Sequence, residues 1–167
     1  MAYRNKTFVS FDGDNDMHYY RLMCAWKRND NIPFNFFDAH DLNTARDSSQ
    51  EVSIKRQLRT RLLNAKIVVS LIGEHTRYLY KFVRWELEQS LDLGLPIVAV
   101  NLNGRRSVDQ NRCPPIIRER LVIHINFGSR ILQHALDNWP ARFARLREQG
   151  IDGPRYYVDD VYTRLAL

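Results

Sequence analysis

Two uninterrupted apolar runs, Ile67-Val-Val-Ser-Leu-Ile72 and Pro96-Ile-Val-Ala-Val-Asn-Leu102, limit what this chain can become. A strand with one wet face alternates apolar and polar residues, whereas a run that is apolar at nearly every position is covered on both faces. Both runs are short and rich in β-branched residues, which favours strand over buried helix. They read as parallel strands at the centre of a sheet, with helices packed above and below. Three further stretches, Thr7–Phe11, Ile32–Phe37 and Leu121–Asn126, read as strands, and Pro33 places the second at an edge.

Helical patterns fill the intervals. His18 to Arg28 sets Tyr19, Leu22, Met23 and Trp26 at three- and four-residue spacing. Ser48-Ser-Gln-Glu51 is a capping box that opens a helix running to Asn64. Leu79 to Leu93 reads as the next helix, closed by Gly94 and Pro96. Arg130 to Gln149 reads as a last helical stretch, kinked or split at Pro140. The expectation is an α/β fold: a three-layer, flavodoxin-like sandwich on a five-stranded parallel sheet of order 2-1-3-4-5. Residues 1–167 are taken as one domain, with a core over about 6–127 and a helical extension over about 130–167. That order reverses between strands one and three, so a ligand should lie above their carboxyl ends, between Asp12–Asp16 and Gly73–Tyr78.

Composition removes several classes of function. No apolar run approaches the roughly 20 residues that span a bilayer. The opening segment enters a strand pattern without a signal-peptide h-region, so the expectation is a cytoplasmic protein. Cys24 and Cys113 stand far apart and form no C-x-x-C pair. His18, His40, His75, His124 and His134 lack metal-ligand spacing, and no metal is expected. Neither a G-x-G-x-x-G fingerprint, a phosphate-binding P-loop nor a G-x-S-x-G elbow is present. The third strand exits as Ser70-Leu-Ile-Gly73, with no aspartate to accept a phosphoryl group.

The charge of +6 rests on 25 basic residues, 20 of them arginine. Arginine suits phosphate, so nucleic acid, an anionic nucleotide and a solvated surface all stay open on this ground. Lys55, Arg56, Arg59 and Arg61 crowd one helix, and Arg105, Arg106, Arg112, Arg118 and Arg120 follow the fourth strand. No nucleic-acid recognition motif accompanies them, and solvated faces account for them more simply.

One residue breaks the pattern. On a helical wheel from Leu79, residues Phe82, Val83, Leu87, Ser90 and Leu93 share an arc with Leu79, and Glu86 falls inside it. Glu88 lies opposite, near Arg84 and Asp92, as a solvated carboxylate should. A carboxylate on an apolar face is costly unless it is paired or lines a cavity. Either a buried Glu86–arginine pair or acid–base and electrostatic work in a cleft explains it. On this reading Glu86 sits about two turns from the ligand crevice.

Four segments resemble the TIR superfamily and, within it, the TIR-like proteins of bacterial Thoeris antiphage defence. Phe8-Val-Ser-Phe11 is similar to the family's first strand. Phe36-Phe-Asp-Ala39 and the polar stretch to Ser49 resemble its second strand and BB loop. Lys66 to Thr76 resembles the third strand with its Leu-Ile-Gly-x-x-Thr exit. Lys81-Phe-Val-Arg-Trp-Glu-Leu87 resembles the Trp-Val-x-(Trp/Tyr)-Glu-(Ile/Leu) motif of bacterial members, with Phe82 in place of the usual tryptophan. The match covers roughly residues 6–103 and fades beyond Gly104.

The resemblance implies cleavage of the nicotinamide–ribose bond of NAD, with NAD as substrate and no other cofactor. The product would be a linear, cyclic or modified ADP-ribose signal that reaches a separate effector. The motif's glutamate falls on Glu86, giving it the catalytic role. Ser10, Phe11, Asp38, His40, Phe82 and Asn103 become candidate substrate contacts. Ser10 is equally explained as a buried strand serine, and Asn103, Asp38 and His40 as ordinary turn residues. Self-association through the BB loop, about residues 38–49, is a further expectation of the resemblance. A non-catalytic adaptor is the alternative reading.

Overall fold

The computed structural model describes residues 6–32, 34–38 and 51–167. Six parallel strands form one sheet of order β2-β1-β3-β4-β5-β6. They are β1 (Lys6–Ser10), β2 (Phe37–Asp38), β3 (Ile67–Ile72), β4 (Ile97–Asn101), β5 (Ile123–Asn126) and β6 (Arg155–Tyr156). The helices are α1 (Met17–Arg28), α2 (Glu51–Asn64), α3 (Val83–Asp92), α4 (Pro115–Arg118), α5 (Ser129–Glu148) and α6 (Asp159–Arg164). The α/β sandwich and the order 2-1-3-4-5 of its first five strands are as expected. The sixth strand, outside β5, is an addition: its two residues pair with Ile123 and His124.

All six residues of β3 and all five of β4 are buried, which explains their unbroken apolar sequence. Alternate side chains divide the core in two. Val9, Val69, Val98, Ile123 and Ile125 face α1 and α5, meeting Met23, Leu132, Leu136 and Trp139. Phe8, Val68, Ile97 and Val122 face the other way, toward Leu58, Leu62, Val83, Leu87 and Ile117.

Three elements differ from expectation, each for a local reason. Among the described residues β2 pairs with β1 at Phe37 and Asp38, and residues 34–36 lie outside the strand, although Phe34 and Phe36 are buried as an inward-facing alternation requires. The amide of Asn35 donates to Gln133 Oε1 of α5 at 2.7 Å instead of to a neighbouring strand. Helix α5 runs through Pro140 as one element of 20 residues. Its buried side, from Ile131 and Leu132 through Leu136 and Trp139 to Phe143, spans the proline, and that packing outweighs the hydrogen bond it removes. Helix α3 starts at Val83, not Leu79, because a separate 3-10 turn occupies Thr76–Tyr78.

Candidate active site

The late start of α3 relocates its carboxylate. Glu86 lies in the first helical turn rather than the second, close to the carboxyl ends of β1 and β3. The positive end of the helix dipole is there, favouring an anion. Val83, Glu86, Leu87 and Ser90 form the buried side of the helix, as the wheel indicated.

Glu86 is 6% exposed, and its Oε2 accepts a hydrogen bond from the hydroxyl of Ser10 at the end of β1. Among the described residues no arginine pairs with it; Arg4 and Arg46 lie outside them. Burial pushes its pKa from 4.5 up to about 7, with the Ser10 hydrogen bond opposing the rise. One turn on, Ser90 Oγ donates to the Glu86 carbonyl at 2.6 Å, which fastens the backbone beneath the carboxylate. The result is a carboxyl group poised near neutrality, the state suited to acid–base or electrostatic work.

The other sequence candidates divide. Ser10 is 1% exposed and donates to Glu86, the position of a buried strand serine. Phe11 stacks on Tyr20 of α1, with ring centroids 4.9 Å apart and planes 10° from parallel, which commits one of its faces to packing. Phe82 immediately precedes α3 and packs against the apolar cluster under that helix, with Lys81 Nζ 5.5 Å from its ring. Asn103 donates to Asp109 Oδ2 at 2.8 Å and accepts from the Arg105 amide, shaping the loop after β4. Asp38 closes β2 beside Thr7, but its side chain and all of His40 lie outside the described residues, as does most of the 38–49 loop.

Two buried acids lie in the loop after β1, which the sequence reading placed beside the expected ligand position. Asp12 accepts the amides of Asp14 and Asn15 at 3.0 and 3.2 Å and the Asn15 side chain at 2.7 Å. Asp16 is 7% exposed, and its Oδ2 has no hydrogen-bond partner. Its pKa is raised by burial and then by Asp12. The Asp16 carboxylate presses on Gly73 at the exit of β3, where a Cβ would lie 2.2 Å from Oδ2. The signal in the sequence was a short acidic loop facing a Leu-Ile-Gly exit; nothing in it separated buried acids from solvated ones.

Among the described residues no group of three or more His, Cys, Asp or Glu could hold a metal. Likewise, none of their helices is long and apolar enough to cross a membrane.

In an alignment with the crystal structure of a conserved protein from Enterococcus faecalis V583, 98% of each chain is covered at 13% identity, with a TM-score of 0.43. Residues 8–107, which carry β1 through the start of the loop after β4 and include Ser10 and Glu86, match the family described as Thoeris protein ThsB, TIR-like domain. On that match, which takes in more than half of its length, the chain belongs to the ThsB TIR-like family.

Proposed function

We propose that the protein cleaves NAD at the nicotinamide–ribose bond and releases an ADP-ribose-derived signal. Family membership carries the coarser statement, a TIR-type role in Thoeris antiphage defence. The observation that supports the finer one is the buried Glu86 carboxyl, held by Ser10 at the carboxyl end of β1 with no arginine partner among the described residues.

The chemistry follows from charge. As the ribose C1′–nitrogen bond breaks, its electron pair moves to the pyridinium nitrogen and positive charge develops on the sugar, as in glycoside cleavage. An ionised carboxylate beside that carbon lowers the energy of this state, and does so more strongly in a water-poor site than in solvent. Ser10 fixes one carboxylate oxygen, which leaves the other to meet the ribose. Water completes hydrolysis by adding to C1′ and losing a proton; a ring atom of the substrate's own adenine in its place gives a cyclic product. Phe82, on the α3 side with Glu86, and Phe11, whose ring lies on the α1 side, are the aromatic candidates for the bases, and Asn103, Asp38 and His40 are the candidate polar contacts. The 38–49 loop completes the site by self-association, and the nucleotide product carries the signal to a separate effector.

Mass spectrometry of nucleotides after incubation with NAD tests the reading. Wild type is expected to yield nicotinamide and an ADP-ribose product, and Glu86→Gln to lose at least about 100-fold of that rate. Equal turnover by Glu86→Gln would refute the role of Glu86. Defence signalling intact in Glu86→Gln but lost on changing the 38–49 loop would establish an adaptor instead.

A further inference from the structure

Ser10, Ser70, Ala99, His124 and Tyr156 are successive lateral partners across β1, β3, β4, β5 and β6. Equal register in a parallel sheet puts these five side chains on one face, each strand about 4.8 Å from the next. It is the face covered by α3, since Ser10 reaches Glu86 from it. Two residues toward the amino ends, the same face carries Phe8, Val68, Ile97 and Val122, all in the apolar core. Two residues toward the carboxyl ends it carries Ile72, Asn101 and Asn126. Polarity begins abruptly at the row of Ser10.

Five buried polar atoms on this face have no hydrogen-bond partner: Ser70 Oγ, Asn101 Oδ1, Asn126 Oδ1 and both ring nitrogens of His124. They surround one small residue. Ser70 and His124 flank Ala99 laterally, Asn101 lies two residues along its strand, and Asn126 is the partner of Asn101. The amide orientation of Asn101 is fixed, because its Nδ2 donates to the carbonyls of Arg105 and Ser107 at 2.9 and 2.8 Å. Burial lowers the His124 pKa to about 4, so its ring is neutral and offers one donor and one acceptor. An unsatisfied buried polar group costs about 1–3 kcal/mol, and native cores meet that cost with protein or ordered water. By register these donors and acceptors neighbour a methyl side chain, the smallest on this face.

We propose that Ser70, Asn101, His124 and Asn126 hold ordered water around Ala99, and that this water extends the Ser10–Glu86 hydrogen bond across the sheet toward exposed Tyr156. At roughly three hydrogen bonds per water, five orphaned atoms take up about two molecules. The water solvates the ionised form of Glu86 from behind and exchanges its proton without passing through the ligand crevice. Among the charged side chains of the packed elements, Arg118 of α4 keeps one buried donor, Nε, without a hydrogen-bond partner, and others are engaged elsewhere. Lys55 and Arg59 of α2 reach the Trp85 ring and Gln89, Arg118 of α4 donates to the Cys113 carbonyl, and Arg155 of β6 to that of Pro154. The use of this water rests on the catalytic reading of Glu86; its existence does not.

Oxygen-17 relaxation dispersion on the full chain counts long-lived internal water, and carboxyl-carbon NMR follows the titration of Glu86. Ala99→Val is expected to lose about two such waters and to raise the Glu86 midpoint by about half a unit or more. Wild type without long-lived water, or folded Ala99→Val retaining the wild-type count, overturns the water site. Lost water with an unmoved Glu86 midpoint overturns the link to Glu86. If Ala99→Val does not fold, Ser70→Ala and His124→Leu carry the same comparison. Neither readout uses NAD, so failure of turnover and failure of this inference are separately visible.

Discussion

At the scale of the residue, burying the Glu86 carboxyl costs stability once it ionises. Its carboxyl titrates near 7 in the folded chain and near 4.5 when exposed, so between those values the folded state binds the extra proton. Stability from this group is therefore fully present below about pH 4.5 and is lost as pH rises through about 7. Glu86→Gln removes the cost of burying the charge. Urea unfolding at about pH 8 is expected to show the variant more stable by on the order of 3 kcal/mol, with the difference shrinking toward about pH 4. Ser10→Ala acts in the opposite sense on the proton: its hydroxyl holds the pKa down, so its loss should move the Glu86 midpoint further up in a carboxyl-carbon titration. The sequence showed Glu86 on the wrong face because helical spacing survives in the residue order. Its partner was not legible, since nothing in Phe8-Val-Ser-Phe11 distinguishes a serine that faces α3 from one that faces α1.

Elements are decided by their ends. Helix α3 closes on Gly94 at φ +66°, with Gly94 donating to the Leu91 carbonyl and Leu95 to that of Ser90, both at 3.0 Å. This is a Schellman arrangement whose left-handed residue favours glycine, and a Cβ there would also displace the Arg147 guanidinium, whose Nη1 would lie 2.5 Å away. Gly94→Ala is expected to cost about 1 kcal/mol or more in thermal or urea unfolding, with Glu86 chemistry little changed. Glycine and proline announced that stop in the sequence. The start was misplaced by four residues, because Leu79 and Phe82 extend the apolar spacing of α3 while belonging to the turn before it. Strand β2 was read too early in the sequence: its buried phenylalanines keep the alternation, while the Asn35 amide donates to Gln133 of α5. Long-range partners of this kind leave no local trace.

Across the whole molecule, the sheet order was legible because two doubly covered strands leave few topologies, while the sixth strand was not, since Arg155-Tyr156 is too short to show a period. The arginine excess also gains a structural explanation. Arg118, Arg130 and Arg147 donate to the carbonyls of Cys113, Leu165 and Gly94, and Arg106 and Arg147 lie over Tyr162 and Phe143. These side chains tie down loops and cover aromatic rings. Affinity for DNA or RNA, read by fluorescence anisotropy, is expected to disappear by about 0.15 M salt, as for scattered surface charge. The central claim is that one buried carboxylate, Glu86, carries NAD cleavage. The most direct measurement is nicotinamide release from NAD by wild type and Glu86→Gln as a function of pH. The account predicts a wild-type rate that rises through an apparent pKa near 7 and levels off above it, with Glu86→Gln near background throughout. A rate independent of pH in this window, or one shared by Glu86→Gln, would contradict it.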